Sequence, residues 1–185
     1  MSTIEYPKAY VAYLAEYYGS RDYFECHEIM EEYWKENPRS EWRTCWLVLI
    51  RIAVGLYHAR RGNWKGAAKL MGKAAGEAEA RSFDRLGLDG SRLKEQLERT
   101  AREWTGPGAA YADMDLPIVD ARLLDEARKL SAERGYAWGI GGLQADSDVI
   151  HRHLTRDRSE VVQARAEAAA RKAATSLRPD KRNRS

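Results

Sequence analysis

The sequence predicts an all-α protein: a compact helical bundle of about five helices with a C-terminal helical extension. Three observations predict it. Apolar residues recur at three- and four-residue spacing over helix-length segments. Helix-start and helix-stop residues bracket those segments. One segment, from Glu41 to Arg61, is apolar around most of its circumference, as expected of a helix buried by its neighbours.

The first helix runs from Pro7 to Tyr18, with Tyr10, Val11, Leu14 and Tyr17 or Tyr18 on one face and proline tolerated in the first turn. Gly19 and Ser20 break it. Asp22 and Glu25 then have the spacing of a capping box and start a second helix that extends to about Asn37. A turn at Asn37, Pro38 and Ser40 leads into the apolar third helix, which is expected at the centre of the bundle. Gly62 and Asn63 end it and cap a fourth helix, from Trp64 to about Leu86, whose small residues Ala68, Gly72, Gly76 and Ala80 form a ridge suited to close packing. A fifth follows from Ser91 to Trp104, carrying Leu93 and Leu97. Thr105 to Val119, with Gly106, Pro107, Gly108 and Pro117, marks a boundary. Asp120 caps a helix to about Arg134, a glycine-rich loop spans Gly135 to Ser147, and a last helix begins near Asp148 and passes through Leu154, Val161 and Val162. The chain thus divides into a bundle over 1–104, a linker and helical extension packing on it over 105–162, and a basic, frayed tail over 163–185.

A length of 185 residues with 44% hydrophobic and 32% charged residues, six Trp and ten Tyr, suits one globular domain with an appendage. No apolar stretch approaches the roughly 20 residues a membrane span requires. The start lacks a secretory signal, and two cysteines, Cys26 and Cys45, are too few for a disulfide framework, so a cytoplasmic protein with reduced packing thiols is expected. The net charge of +3 is uneven: His151 to Ser185 holds ten Lys and Arg against four Asp and Glu. That arm could contact nucleic acid through Arg152, Arg156, Arg158, Arg165, Arg171 and Lys172, although it has no aromatic residue for base stacking.

The residues with chemistry lie on the second helix, in the pattern His27, Glu28, Glu31, Trp34. On a helical wheel with Phe24 at zero, His27 falls at about 300°, Glu31 at about 340° and Trp34 at about 280°, within an aromatic face, with Glu28 at about 40° between that face and solvent. An antiparallel pairing of helices two and three places Arg51 level with His27, so that a buried His27, Glu31 and Arg51 cluster forms with His58 a turn or two away. Three uses compete. His27 and Glu31, at i and i+4, reach one metal ion as the histidines of HExxH zincins do, with His58 as third ligand and Glu28 as general base; zinc or manganese would suit such a donor set. Alternatively the cluster is a satisfied polar network that locks the helix pair. In the third use Arg51 and Arg61 line a pocket for a small anionic ligand without metal. Whether the chain is an enzyme, a homo-oligomer or a scaffold is left open by these residues.

The runs YFECHEIMEEYWKE and LIRIAVGLYHARRGNWKGA resemble a bacterial and archaeal family, domain of unknown function 309, whose members carry the label of metal-dependent hydrolases. DLPIVD, from Asp115 to Asp120, and HRHLTRDRSEVV, from His151 to Val162, resemble its longer members. The resemblance implies a compact helical bundle, a metal-dependent hydrolase as the activity, and a motif of His27, Glu28, Glu31 and Trp34 followed by His58, Arg61, Gly62 and Asn63. Arg51 stands where the family usually has glutamine.

Overall fold

The computed structural model describes residues 4–152, 166–167 and 169–171. The described chain is helical, with a single isolated bridge between Leu88 and Ile118. Helix α1 spans Lys8–Tyr18, α2 Tyr23–Glu36, α3 Arg43–Arg60, α4 Trp64–Glu77, α5 Ala80–Arg85, α6 Gly90–Thr105, α7 Ala121–Glu133 and α8 Ser147–Ile150. The C-terminal tail over 163–185, the continuation of the last helix through Leu154 to Val162, and Arg156, Arg158, Arg165 and Lys172 lie outside the described residues, apart from exposed helical positions at 166–167 and 169–171.

Local chemistry starts these helices where the sequence indicates. Asp22 accepts from the Glu25 amide at 3.0 Å, Asn63 from Gly66 at 3.1 Å, Asp89 from Arg92 at 2.9 Å, and Asp120 from Arg122 and Leu123. Each cap satisfies an amide that the helix itself leaves without a partner. α3 packs between α2 and α4, α1 lies against α2 and α7, and α6 packs on α4 and α5. The interior is filled by Trp46, Leu49, Ile52 and Leu56 of α3, Tyr13 and Leu14 of α1, Met30 of α2, Met71 of α4 and Leu93 and Leu97 of α6.

Two expectations about α4 are corrected. The helix stops at Glu77: Ala78 and Glu79 are extended and α5 restarts at Ala80. The first residue of α6, Gly90, packs against the restart, so close that an added Cβ would lie 2.0 Å from the Ala80 carbonyl oxygen. The ridge of small residues is not an interface either, since Cβ atoms at Gly72 and Gly76 would meet nothing within 4 Å. The close approach between α3 and α4 is made from the other side, by Gly55 against the end of Met71.

α1 organises the rest through its tyrosines. Tyr10 donates to the Leu86 carbonyl at 3.0 Å, Tyr13 to Leu49 at 2.8 Å and Tyr18 to Leu116 at 2.9 Å, while Tyr17 donates to Met114. A tyrosine buries a large ring and still carries a donor at its tip, so each fills core volume and satisfies a carbonyl of another segment. The Pro- and Gly-containing stretch before α7 is held in this way, with Met114 and Leu116 buried.

Candidate functional site

α2 buries Tyr23, Cys26 and Met30, whose wheel positions average about 230°. His27 and Glu31 therefore sit at the margin of the buried stripe. Their side chains are 24% and 34% exposed, and that of Glu28 is 41% exposed. His27 Nε2 lies 3.2 Å from Glu31 Oε2, His27 Nδ1 lies 3.3 Å from Glu28 Oε1, and Lys35 Nζ reaches the other Glu31 oxygen at 3.0 Å. The His27 ring packs on Phe24, which packs in turn on Tyr57 of α3. The expected buried His, Glu and Arg cluster is thus corrected to a half-exposed one drawn from α2.

Arg51 does not join it. Its guanidinium pairs with Glu77 at the end of α4. A long side chain on α3 can reach a carboxylate on either flank, and here it takes the one on α4. His58 is also outside the cluster: Nδ1 is 3.2 Å from Asn63 Nδ2, and its ring contacts Tyr57. Burial, then the neighbouring Arg61, holds its pKa below the usual imidazole value. Asn63 caps α4, and Arg61 lies over the Tyr57 ring and donates from Nε to His151 Nδ1 at 3.2 Å. Trp34 is half buried, with the Arg43 guanidinium 3.9 Å above its ring and bonded to its carbonyl. Both cysteines are free and buried, and burial raises their pKa values.

Among the described residues, His27, Glu28 and Glu31 are the group whose nitrogen and carboxylate oxygens converge, within 4.8 Å of one another. An imidazole nitrogen with carboxylate oxygens is a donor set that suits zinc, manganese or iron. The arrangement also divides the roles: Glu31 faces Nε2 and Glu28 faces Nδ1, so Glu28 sits where a carboxylate orients a metal-binding ring from behind.

A second polar cluster escaped the sequence reading. Arg21 and Arg60, 2% and 8% exposed, lie beside Tyr23 and Tyr111 beneath the loop at 138–144. The available signals were an arginine at the end of the apolar α3 and three glycines at 139, 141 and 142. Arg152, counted above with the basic arm, is committed here to Asp22 at 2.9 Å.

An all-helical bundle that places a histidine and two carboxylates at the edge of its second helix is the class that fold and site define. A model of the family described as domain of unknown function (DUF309) matches residues 10–70, which include that helix. The uncharacterized protein YpuF of Bacillus subtilis (strain 168) is 42% identical over 162 residues, covering 86% of this chain and 92% of that protein. The chain belongs to the DUF309 family. No solved structure matches it, and no helix among the described residues is long and apolar enough to cross a membrane.

Proposed function

We propose that the His27 and Glu31 pair is a divalent-cation site and that the protein is a metal-dependent hydrolase. The observation that carries this reading is that every ion pair of the cluster runs within α2, from His27 to Glu28, His27 to Glu31 and Lys35 to Glu31. A structural brace would have to link two helices, and these contacts link none. Arg51, whose positive charge would oppose a cation, is neutralised by Glu77.

His27 Nε2 and Glu31 would hold the ion, and Glu28 would fix the ring by accepting from Nδ1. Lys35, whose side chain is 62% exposed, can swing into water when Glu31 takes a cation. Two protein ligands leave coordination positions open to water or substrate, which a catalytic ion needs and a closed structural site does not offer. Such an ion supplies a Lewis acid and lowers the pKa of water bound to it. Phe24 and Tyr57 form an apolar wall beside His27, and Arg61 over Tyr57 brings a positive charge suited to an anionic substrate.

The test is thermal denaturation with zinc or manganese, together with metal analysis of protein purified without chelator. The expected result is saturable stabilisation at one ion per chain. At a concentration of about 100 times Kd this amounts to roughly 2.7 kcal/mol, visible as a rise of several degrees in Tm. Glu31→Gln should abolish it, and acid should weaken it because protons compete for the ligands. Absence of stabilisation by either ion would reject the proposal.

A further inference from the structure

Arg60, the last residue of α3, is a buried guanidinium that uses only the donors of Nη1. Nη1 donates to the Arg21 carbonyl at 2.8 Å and the Gly142 carbonyl at 3.3 Å, and Cζ stands 4.6 Å from the centre of the Tyr23 ring. Nε and Nη2 are out of contact with solvent and meet no acceptor among the described residues. Those two nitrogens form one edge of the planar group, the edge that takes two oxygens of a carboxylate or phosphate in parallel hydrogen bonds. A charged group left in this condition costs more than a neutral one, because desolvation is not offset by a partner.

The neighbouring carboxylates are already engaged. Asp22, 5% exposed, caps α2 and takes Arg152 at 2.9 Å. Asp113 accepts from the Tyr111 hydroxyl at 2.9 Å and from the Gly142 amide at 3.0 Å. Asp115, whose side chain is 72% exposed, lies 3.7 Å from Arg21 Nη2. Tyr111 gives its one proton to Asp113, so the Tyr23 hydroxyl donates across the 3.2 Å between the two phenols. Arg21 thus has the exposed Asp115 beside it, whereas Asp22, the buried carboxylate whose charge acts on Arg60, is held by Arg152.

The cover over this cluster is a short strap, residues 138–144. Trp138 stacks on Tyr18 at 4.6 Å, the Gly139 amide donates to the Tyr18 carbonyl at 2.9 Å, and Arg21 Nε donates to the Ile140 carbonyl at 2.6 Å. The strap comes so close that a Cβ at Gly142 would lie 2.2 Å from the Tyr111 hydroxyl. Gly139 has φ of +80°, a conformation glycine adopts without strain. A cleft of about 490 Å³, lined by Asp22, Tyr136, Ile140 and Arg152 among others, opens to solvent at the start of the strap; Arg60 lies behind its wall and does not line it.

We propose that the Nε and Nη2 edge of Arg60 binds the carboxylate or phosphate group of a small ligand, admitted when the 138–144 strap lifts from Tyr18 and Arg21. The site uses no residue of the His27 cluster and stands whether or not that cluster holds a metal. The ligand's oxyanion replaces the missing negative charge, and the strap closes over it through the Gly142 carbonyl.

The experiment uses the full chain with inorganic phosphate and, separately, acetate, each against chloride at constant ionic strength. Saturable thermal stabilisation by either oxyanion, with slower amide exchange over 138–144, is expected. A response to phosphate alone assigns a phosphoryl ligand, and a response to acetate alone assigns a carboxylate. Arg60→Lys keeps the charge but removes the two-donor edge and should weaken binding roughly tenfold or more, whereas Arg99→Lys on the exposed face of α6 should leave it unchanged. The proposal is overturned if neither oxyanion stabilises the wild-type chain beyond chloride, if strap exchange is the same with and without it, or if Arg60→Lys responds as the wild type does. The exchange measurement needs no variant, so the outcome does not depend on Arg60→Lys folding.

Discussion

Glu31 takes His27 on one carboxylate oxygen and Lys35 on the other, and both partners stand one turn away on the same helix. Pairs of this kind at a half-exposed surface contribute a few tenths of a kcal/mol each. Glu31→Ala is therefore expected to cost less than about 1 kcal/mol in a urea titration, whereas removing one partner of a buried interhelical ion pair would cost about 3 to 5 kcal/mol. A loss in the upper range would show that the cluster braces the bundle after all. The wheel placed His27 and Glu31 on one side of α2 and Glu28 beyond them, and that ordering holds. Their burial was overestimated because Phe24 and Trp34, the aromatic residues on either side of them, are themselves only partly buried, while the residues fully covered are Tyr23, Cys26 and Met30. Which neighbour Arg51 would choose was not legible at all, since a flexible side chain at one level of α3 reaches carboxylates on either flank and only the packed α4 brings Glu77 to it.

Between helices, the glycines separate what the sequence pattern had merged. Spacing at four residues drew Gly72 and Gly76 into one ridge, yet both face outward and the intimate contacts are made by Gly55 and Gly90. Two substitutions with the same chemistry should then act in opposite directions. Gly72→Ala lies at an exposed position inside α4 with nothing near its Cβ and should stabilise by about 0.5 to 1 kcal/mol, by removing backbone freedom from the unfolded chain. Gly90→Ala drives a methyl group into the backbone of Ala80, which cannot rotate away, and should destabilise by about 2 kcal/mol or more. Chemical denaturation of the two variants beside the wild type checks both signs. The same contact explains why α4 could not be read to its end. Nothing in the local pattern from Trp64 to Leu86 forbids one long helix, and the break at Ala78 and Glu79 falls where the start of α6 packs against Ala80, a contact remote in sequence. Caps at Asp22, Asn63 and Asp120 were legible because a cap is a contact between neighbours in sequence.

Across the whole molecule, the tyrosines of α1 tie the bundle together, and they make its stability depend on alkaline pH. Tyr10, Tyr13 and Tyr17 are fully buried, and burial raises each phenol well above its ordinary value near 10, as it does for Tyr18, Tyr23 and Tyr111. Below about pH 10 folded and unfolded chains alike keep these protons, and pH has no leverage through them. Above it the unfolded chain releases protons that the folded chain retains, so the balance moves toward unfolding. Each such phenol removes about 1.4 kcal/mol per pH unit, and Tyr10, Tyr13 and Tyr17 together remove about 4. Against a typical domain stability of roughly 5 to 15 kcal/mol, the bundle should unfold cooperatively within about one to four pH units above 10. Phenolate absorbance near 295 nm should then rise in a step that coincides with loss of helical ellipticity. A smooth rise centred near pH 10 with the helices intact would mean that these hydroxyls reach water, and that the carbonyls of Leu86, Leu49 and Leu116 are not held as described.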